Sequence, residues 1–333
     1  MLLGREMSPA QEGLMEAILA QPRGFCAGVV RAVEIVERAL ELYGAPIYVF
    51  HEIVHNRHVV EGLQSRGAVF VQGLEAIPSG SVIVFSAHGV SDAIVGQAQR
   101  QKLQVIDATC PLVTKVHLQA QRYSAKGCEI IIIGHLGHEE VDGTMGSVSG
   151  PVQLISTPED VAALKVIDPT RLAYVTQTTL SIEDTRDVIA ALKRRFPLIQ
   201  GPDLDDICYA TQNRQNAVRQ LAKEVDLLLV VGARNSSNSI RLREVGEHEG
   251  LAAHLIQDET EIDQNWLNGV RRVGVTAGAS APEVLVQRVL ERLRELGVTV
   301  TRELEGEPET VTFSLPKTLQ TSKGGRHYSR GEP

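Results

Sequence analysis

Residues 107–116 read D-A-T-C-P-L-V-T-K-V. The same plan returns as R-G-F-C-A-G-V-V-R-A-V at 23–33 and D-D-I-C-Y-A-T-Q-N-R at 205–214. Each copy sets a cysteine (Cys26, Cys110, Cys208) after a short segment ending at a turn. A helix-like run follows, with a basic residue in its first turns: Arg31, Lys115 and Arg214. The cysteines are 84 and 98 residues apart, far in sequence but equivalent in pattern. A threefold arrangement would bring them to one point, and three thiolates at one point form a metal site.

Outward from these copies, short apolar runs of strand length alternate with helical patterns. The clearest strands are Ile47–Phe50, Val82–Phe85, Ile130–Ile133, Leu172–Val175, Leu227–Val231 and Val273–Val275. Their β-branched, non-alternating character predicts parallel strands covered on both faces. Helices are expected over Gly28–Leu42, Pro111–Lys126, Ile182–Arg195, Gln212–Glu224 and Pro282–Leu296, with Pro111 and Pro282 in first turns, where a missing N–H costs little. The fold class is α/β with right-handed crossovers. A pair of strands follows each cysteine, and the period is too long for a stacked array. Three related domains are therefore expected: 28–110, 111–207, and 18–27 joined to 208–300. Residues 1–17 read as an extension, with Met7 and Met15 as alternative starts, and 301–333 as a polar tail whose end, T-S-K-G-G-R-H-Y-S-R-G-E-P, reads as disordered.

Composition narrows the partners. The 333 residues carry a net charge of −8 and only 4% aromatics, which argues against a nucleic-acid surface. The start of the chain has neither the apolar run of a signal peptide nor the acid-poor character of a transit peptide, and no apolar run is long enough to span a membrane. Four cysteines in a chain of this size are not a disulfide framework, so reduced thiols and a cytoplasmic location are expected.

In open α/β sheets ligands bind beyond the carboxyl ends of the strands. Those ends read H-E-I-V-H-N (51–56), S-A-H-G-V-S (86–91), G-H-L-G-H-E-E (134–140), T-Q-T-T (176–179), N-S-S-N-S (235–239) and T-A-G-A-S-A-P (276–282). Taken singly, a strand-end histidine such as His51, His58 or His135 reads as structural, and Ser or Asn before a helix as a cap. Recurrence changes the reading, because six polar tips could surround one small anionic ligand with imidazole, hydroxyl and amide donors. Cys128, before an apolar strand, reads as a small hydrophobe. The other three thiols precede helix starts, where the thiolate is favoured. Without a C-x-x-C pair, the residues alone leave zinc, an iron–sulfur cluster and no metal all open.

These motifs, with I-V-H-N-R, F-S-A-H-G-V-S, G-H-L-G-H-E-E-V-D-G-T-M-G, T-Q-T-T-L-S and V-T-A-G-A-S-A-P in the same order from about Leu19 to Phe313, resemble the 4-hydroxy-3-methylbut-2-enyl diphosphate reductase family. The resemblance implies a trefoil-like, pseudo-threefold α/β protein around a central iron–sulfur cluster, 4Fe-4S or 3Fe-4S after oxidative loss of the open iron. Cys26, Cys110 and Cys208 would be its ligands, and the substrate hydroxyl would take the unligated iron. It further implies that His55, His88, Ser236, Ser237, Asn238 and Ser280 hold the diphosphate, and that His138, Glu140 and Thr178, with Thr179 nearby, meet the hydroxyl end. The reaction, last in the non-mevalonate isoprenoid pathway, would remove an allylic hydroxyl, add two electrons and a proton, and give isopentenyl and dimethylallyl diphosphates. An external electron donor such as ferredoxin or flavodoxin is implied. Hydroxide leaves poorly without a proton, and Glu140, relayed through Thr178 and His138, is the expected acid; burial beside Glu139 and the cluster's charge would raise its pKa. A zinc phosphohydrolase and a cluster-based redox sensor are the competing readings.

Overall fold

The computed structural model describes residues 15–306 and 308–320. The chain opens with β1 (Met15–Leu19) and α1 (Ala27–Tyr43). It continues through β2 (Ile47–Phe50), α2 (Arg57–Ser65), β3 (Ala68–Val71), β4 (Val82–Phe85), α3 (Asp92–Arg100) and β5 (Gln104–Asp107). Next come α4 (Pro111–Ala125), β6 (Glu129–Ile133), α5 (Glu139–Met145), β7 (Val152–Ile155), α6 (Pro158–Ala163), β8 (Leu172–Thr176) and α7 (Ile182–Arg195). The last part is α8 (Tyr209–Leu221), β9 (Leu227–Val231), α9 (Ser237–His248), β10 (Ala252–Ile256), β11 (Arg272–Ala277), α10 (Glu283–Glu295) and β12 (Val298–Glu303).

These strands form three sheets with orders β3-β2-β4-β5, β7-β6-β8 and β10-β9-β11-β1-β12, every pair parallel. The first strand after each cysteine lies between the second and third in all three. A fourth position follows the third: β5, an isolated parallel bridge from Gln200 to Ala173, and the N-terminal β1. The sheets are thus three copies of one plan, with the last copy completed by the start of the chain.

The apolar runs decide this packing. Ile130–Ile133 is at most 1% exposed along its whole length, and burying each such side chain stabilises the fold by about 1.5–3 kcal/mol. An aspartate at Ile131 would leave an unpaired charge in that core. Each cysteine-led helix covers the sheet that follows it. Ala32, Ile35, Val36 and Ala39 of α1 pack with β2 and β4, Val116 and Ala120 of α4 with β6 and β8, and Ala217, Val218 and Leu221 of α8 with β9.

All six expected strands form, and the five expected helices are present. α8 starts at Tyr209 rather than Gln212, because Cys208 caps it, and Pro282 is the N-cap of α10 rather than a first-turn residue. The limits expected at 17 and 300 fall inside strands, since β1 begins at Met15 and β12 runs to Glu303. The extreme C-terminal run expected to be disordered lies outside the described residues. Cys128 is 5% exposed in an apolar core, as a small hydrophobe.

Candidate active site

The three sheets turn their strand tips toward one cavity. Its floor is lined by Cys26, Cys110 and Cys208, its walls by His55, His88, His138, Glu140, Thr178, Thr179, Ser236, Ser237, Asn238 and Ser280. Each cysteine is the N-cap of its helix: α1, α4 and α8. Each also donates its backbone N–H to a strand-tip carbonyl: Cys26 to Ala279 (3.3 Å), Cys110 to Ala87 (3.0 Å) and Cys208 to Thr178 (3.1 Å). A Cβ at Gly28 would stand 2.7 Å from the Cys110 sulfur and 3.8 Å from that of Cys26, so only glycine lets α1 approach so closely.

The helix starts do not make Cys110 and Cys208 acidic, contrary to the sequence expectation. Burial, then the neighbouring Cys26, pushes Cys110 up to about 12 and Cys208 up to about 11. Three sulfurs ionised together on one part-buried floor would repel one another, and the helix amides are too weak a counter-charge. A cationic group that binds sulfur would reverse that balance, so the donor set fits a soft metal or an iron–sulfur cluster.

Glu140, in the first turn of α5 and 3% exposed, faces the floor from one side. Its carboxylate accepts from the Thr178 amide (2.6 Å) and hydroxyl (2.9 Å). Burial outweighs these bonds and raises its pKa to about 7, with the charge of Asp206 adding to the effect. The expected neighbour Glu139 faces elsewhere: its oxygens lie 2.9 Å from His51 Nδ1 and 2.7 Å from His88 Nδ1. Burial works against the ionised form there too, but these imidazoles win and hold Glu139 well below the usual carboxylate range. Adjacent residues thus give one anion and one carboxyl that is protonated near neutrality.

The imidazoles form a stack. His55 and His88 lie face to face with centroids 4.1 Å apart, and His138 meets both edge-on. His138 caps α5 by accepting the Glu140 amide at Nδ1, which leaves Nε2–H as its donor. Burial, then His88 and His55, lowers His138 to about 3, and burial also lowers His88. His138 is therefore a neutral donor through Nε2, whereas the Nδ1–H of His88 is directed at the Glu139 carboxylate and its Nε2 donates only in the protonated ring.

The hydroxyl wall is tied together across domains. Ser280 Oγ donates to the His55 carbonyl (2.9 Å), and Ser236 caps α9 through the Ser239 amide. Asn238 Oδ1 accepts from the Ala279 amide (2.7 Å), yet its Nδ2 is buried with no partner. A buried N–H without an acceptor costs about 1–3 kcal/mol, and here it lies in the lining of the cavity beside the start of α9. An anionic ligand would satisfy it.

A family model described as LytB protein matches residues 17–294. A protein of Bordetella bronchiseptica named 4-hydroxy-3-methylbut-2-enyl diphosphate reductase is 62% identical over 304 residues, 91% of this chain and 93% of its own. One of Shewanella pealeana with the same name is 57% identical over 309 residues, 92% of this chain and all of its own. The solved E-1-hydroxy-2-methyl-but-2-enyl-4-diphosphate reductase of Plasmodium falciparum superposes with a TM-score of 0.88 at 37% identity, covering 92% of this chain and 97% of that one. The chain belongs to the 4-hydroxy-3-methylbut-2-enyl diphosphate reductase family.

Every residue that the resemblance to this reductase family singled out lines the one cavity. His58 does not; it sits 3.6 Å from Asp258, and His135 contacts Arg241. Sequence reasoning missed the residues that hold the site in shape. Gln177 bridges the His135 amide, Thr179 and Ser237, and Asn235 reaches Glu52, which in turn holds His55. Asp206 accepts the Thr176 amide with one oxygen while the other is buried unpaired, and burial raises it to about 6. Only Glu52 carried a usable signal, its i,i+3 spacing from His55. No helix among the described residues is long and apolar enough to cross a membrane.

Proposed function

We propose that this chain reduces 4-hydroxy-3-methylbut-2-enyl diphosphate to isopentenyl and dimethylallyl diphosphates, the last step of the non-mevalonate isoprenoid pathway. The observation that carries the reading is the Glu140–Thr178 pair, which adjoins three converging thiols and faces a wall with an unpaired amide donor. Cys26, Cys110 and Cys208 would hold an iron–sulfur cluster, 4Fe-4S in the competent form. Such a cluster would supply single electrons and a Lewis acid for the substrate oxygen. The overall change consumes two electrons and two protons: one proton ends on carbon and the other on the departing oxygen, released as water.

The protein's own groups do the rest. His55, His88, Ser236, Ser237, Asn238 and Ser280 would bind the diphosphate without a lysine cluster: the hydroxyls and the amide donate as neutral groups, and the two imidazoles, with Nδ1 on a carboxylate, would donate Nε2–H in their protonated form. Glu140, protonated near neutral pH, holds the proton that oxygen departure needs, and the Thr178 hydroxyl 2.9 Å away is placed to relay it. His138, donating through Nε2, orients the hydroxyl end, with Thr179 beside it. The units 28–110, 111–207 and 18–27 with 208–300 would close over the ligand to exclude water. Electrons would come from an external carrier such as ferredoxin or flavodoxin, in the cytoplasm.

The test is anaerobic turnover. Protein loaded with iron and sulfide, given a low-potential reductant and the hydroxy-diphosphate, should yield both products by mass spectrometry. Unchanged substrate, with iron bound and the cysteines ligating it, would refute the reading.

A further inference from the structure

The basic residue in each cysteine-led helix has a common task. Arg31, five residues after Cys26, donates through Nη1 to the carbonyls of Ala108 (3.3 Å) and Thr109 (3.0 Å), directly before Cys110. Lys115, five residues after Cys110, donates to the Asp205 carbonyl (2.8 Å), three residues before Cys208. Arg214, six residues after Cys208, donates through Nε and Nη2 to the Gly24 carbonyl (3.0 and 2.7 Å), two residues before Cys26. The links run one way and close on themselves: first cysteine to second, second to third, third to first.

We propose that Arg31, Lys115 and Arg214 are positioning residues, three struts that set the spacing of the three cysteines for the iron–sulfur cluster; this rests on the ligand assignment made above. Among the described residues, backbone carbonyls one to three residues before a cysteine are the partners common to all three cations. That choice suits positioning, because a carbonyl moves with the loop that carries the thiol. The three struts also bring three positive charges around a floor that must hold sulfur anions.

The struts differ in strength. Arg214 is fully buried, pairs with both oxygens of Glu309 (3.0 and 3.1 Å) and also donates to the Ala210 carbonyl. Arg31 is partly buried and braced by the Ser314 carbonyl (3.0 Å). Lys115 is exposed, with one bond. The segment through Glu309 and Ser314 thus braces two struts at once, and Leu319, 1% exposed, anchors it in the core under α1.

The experiment compares Arg214→Met, Arg31→Met and Lys115→Met with wild type after anaerobic cluster loading. Release of iron to a chelator should accelerate in that order: roughly tenfold or more, a few-fold, and under about twofold. The paramagnetic resonance spectrum of the reduced cluster should shift in the two arginine variants, and Lys115→Arg should release iron at the wild-type rate or slower. Circular dichroism of the metal-free proteins verifies folding; if Arg214→Met does not fold, Arg214→Lys carries the same test. Wild-type release rates and spectra in both folded arginine variants would overturn the struts while leaving the cysteine assignment intact. Wild-type protein that loads no iron, or iron retained equally by Cys208→Ser, would instead overturn the assignment itself.

Discussion

The floor and the wall of the cavity are built in opposite ways. On the floor the backbone is committed and the side chains are not. Each cysteine N–H is bonded to a strand tip, whereas the sulfurs would repel one another once ionised, and Cys208 is met by the Thr211 hydroxyl and amide. On the wall the side chains are committed to each other: imidazole on imidazole, Ser280 on the His55 carbonyl, Asn238 on the Ala279 amide. A sulfur-binding cation would therefore stabilise the floor, while the wall is organised by its own bonds. Loss of the floor should abolish function, and damage to the wall should grade it.

The sharpest way to break this contrast is Cys110→Ser, which should reduce tightly bound iron and turnover to the level of metal-free protein, as measured by iron analysis on folded variant. Retained iron would mean that the floor is not the ligand set. Next in size, Glu140→Gln should lower kcat roughly 10²–10⁴-fold with a small change in KM. Wild-type kcat should fall as pH rises through about 7, where Glu140 loses its proton, and the variant's residual rate should lack that limb. Coincident profiles would remove Glu140 as the acid. Ser280→Ala, on the wall, should raise KM about five- to tenfold and change kcat less, since a neutral hydrogen bond is worth about 0.5–1.5 kcal/mol. An unchanged KM would take Ser280 out of the diphosphate shell.

The smallest effect is on metal-free stability. Glu140 and Asp206 both have folded-state pKa values raised by burial, to about 7 and about 6. Between the ordinary carboxylate range and those values the folded state binds more protons than the unfolded chain, so their contribution is fully present at low pH and is lost as pH rises through 6 and 7. Denaturant titrations at pH 5, 6, 7 and 8 should show that fall, and Glu140→Gln should make it shallower. A fall of equal size in the variant would count against the buried-carboxyl origin.

What could be read from residues alone followed the same division. Cys26, Cys110 and Cys208 were legible because each copy repeats turn, cysteine, helix and base, and the strands before the tips because burial on both faces demands unbroken apolar runs. Short strands such as β3, β7 and β10 were not distinguished from loops, since they pair on one side and carry mixed residues. The titration states were hidden for a different reason. Glu139 and Glu140 are identical in sequence, and only the direction each side chain takes, toward His51 and His88 or toward Thr178, sends their pKa values apart. Gln177 and Asn235 act across domain boundaries, and Asp206 reaches a strand tip 30 residues earlier, where local pattern carries no information.

One consequence concerns the order in which the molecule is made. β1 leads directly to Cys26, yet it pairs only with β11 and β12, more than 250 residues later in the chain. Sheets one and two can form as they leave the ribosome, but β1 has no sheet to join until β11 and β12 have emerged. The thiol triangle is therefore finished only at the end of translation. On the ligand assignment proposed above, loading would follow synthesis of β11 and β12, because a chain halted before them lacks the Ala279 carbonyl contact that fixes Cys26.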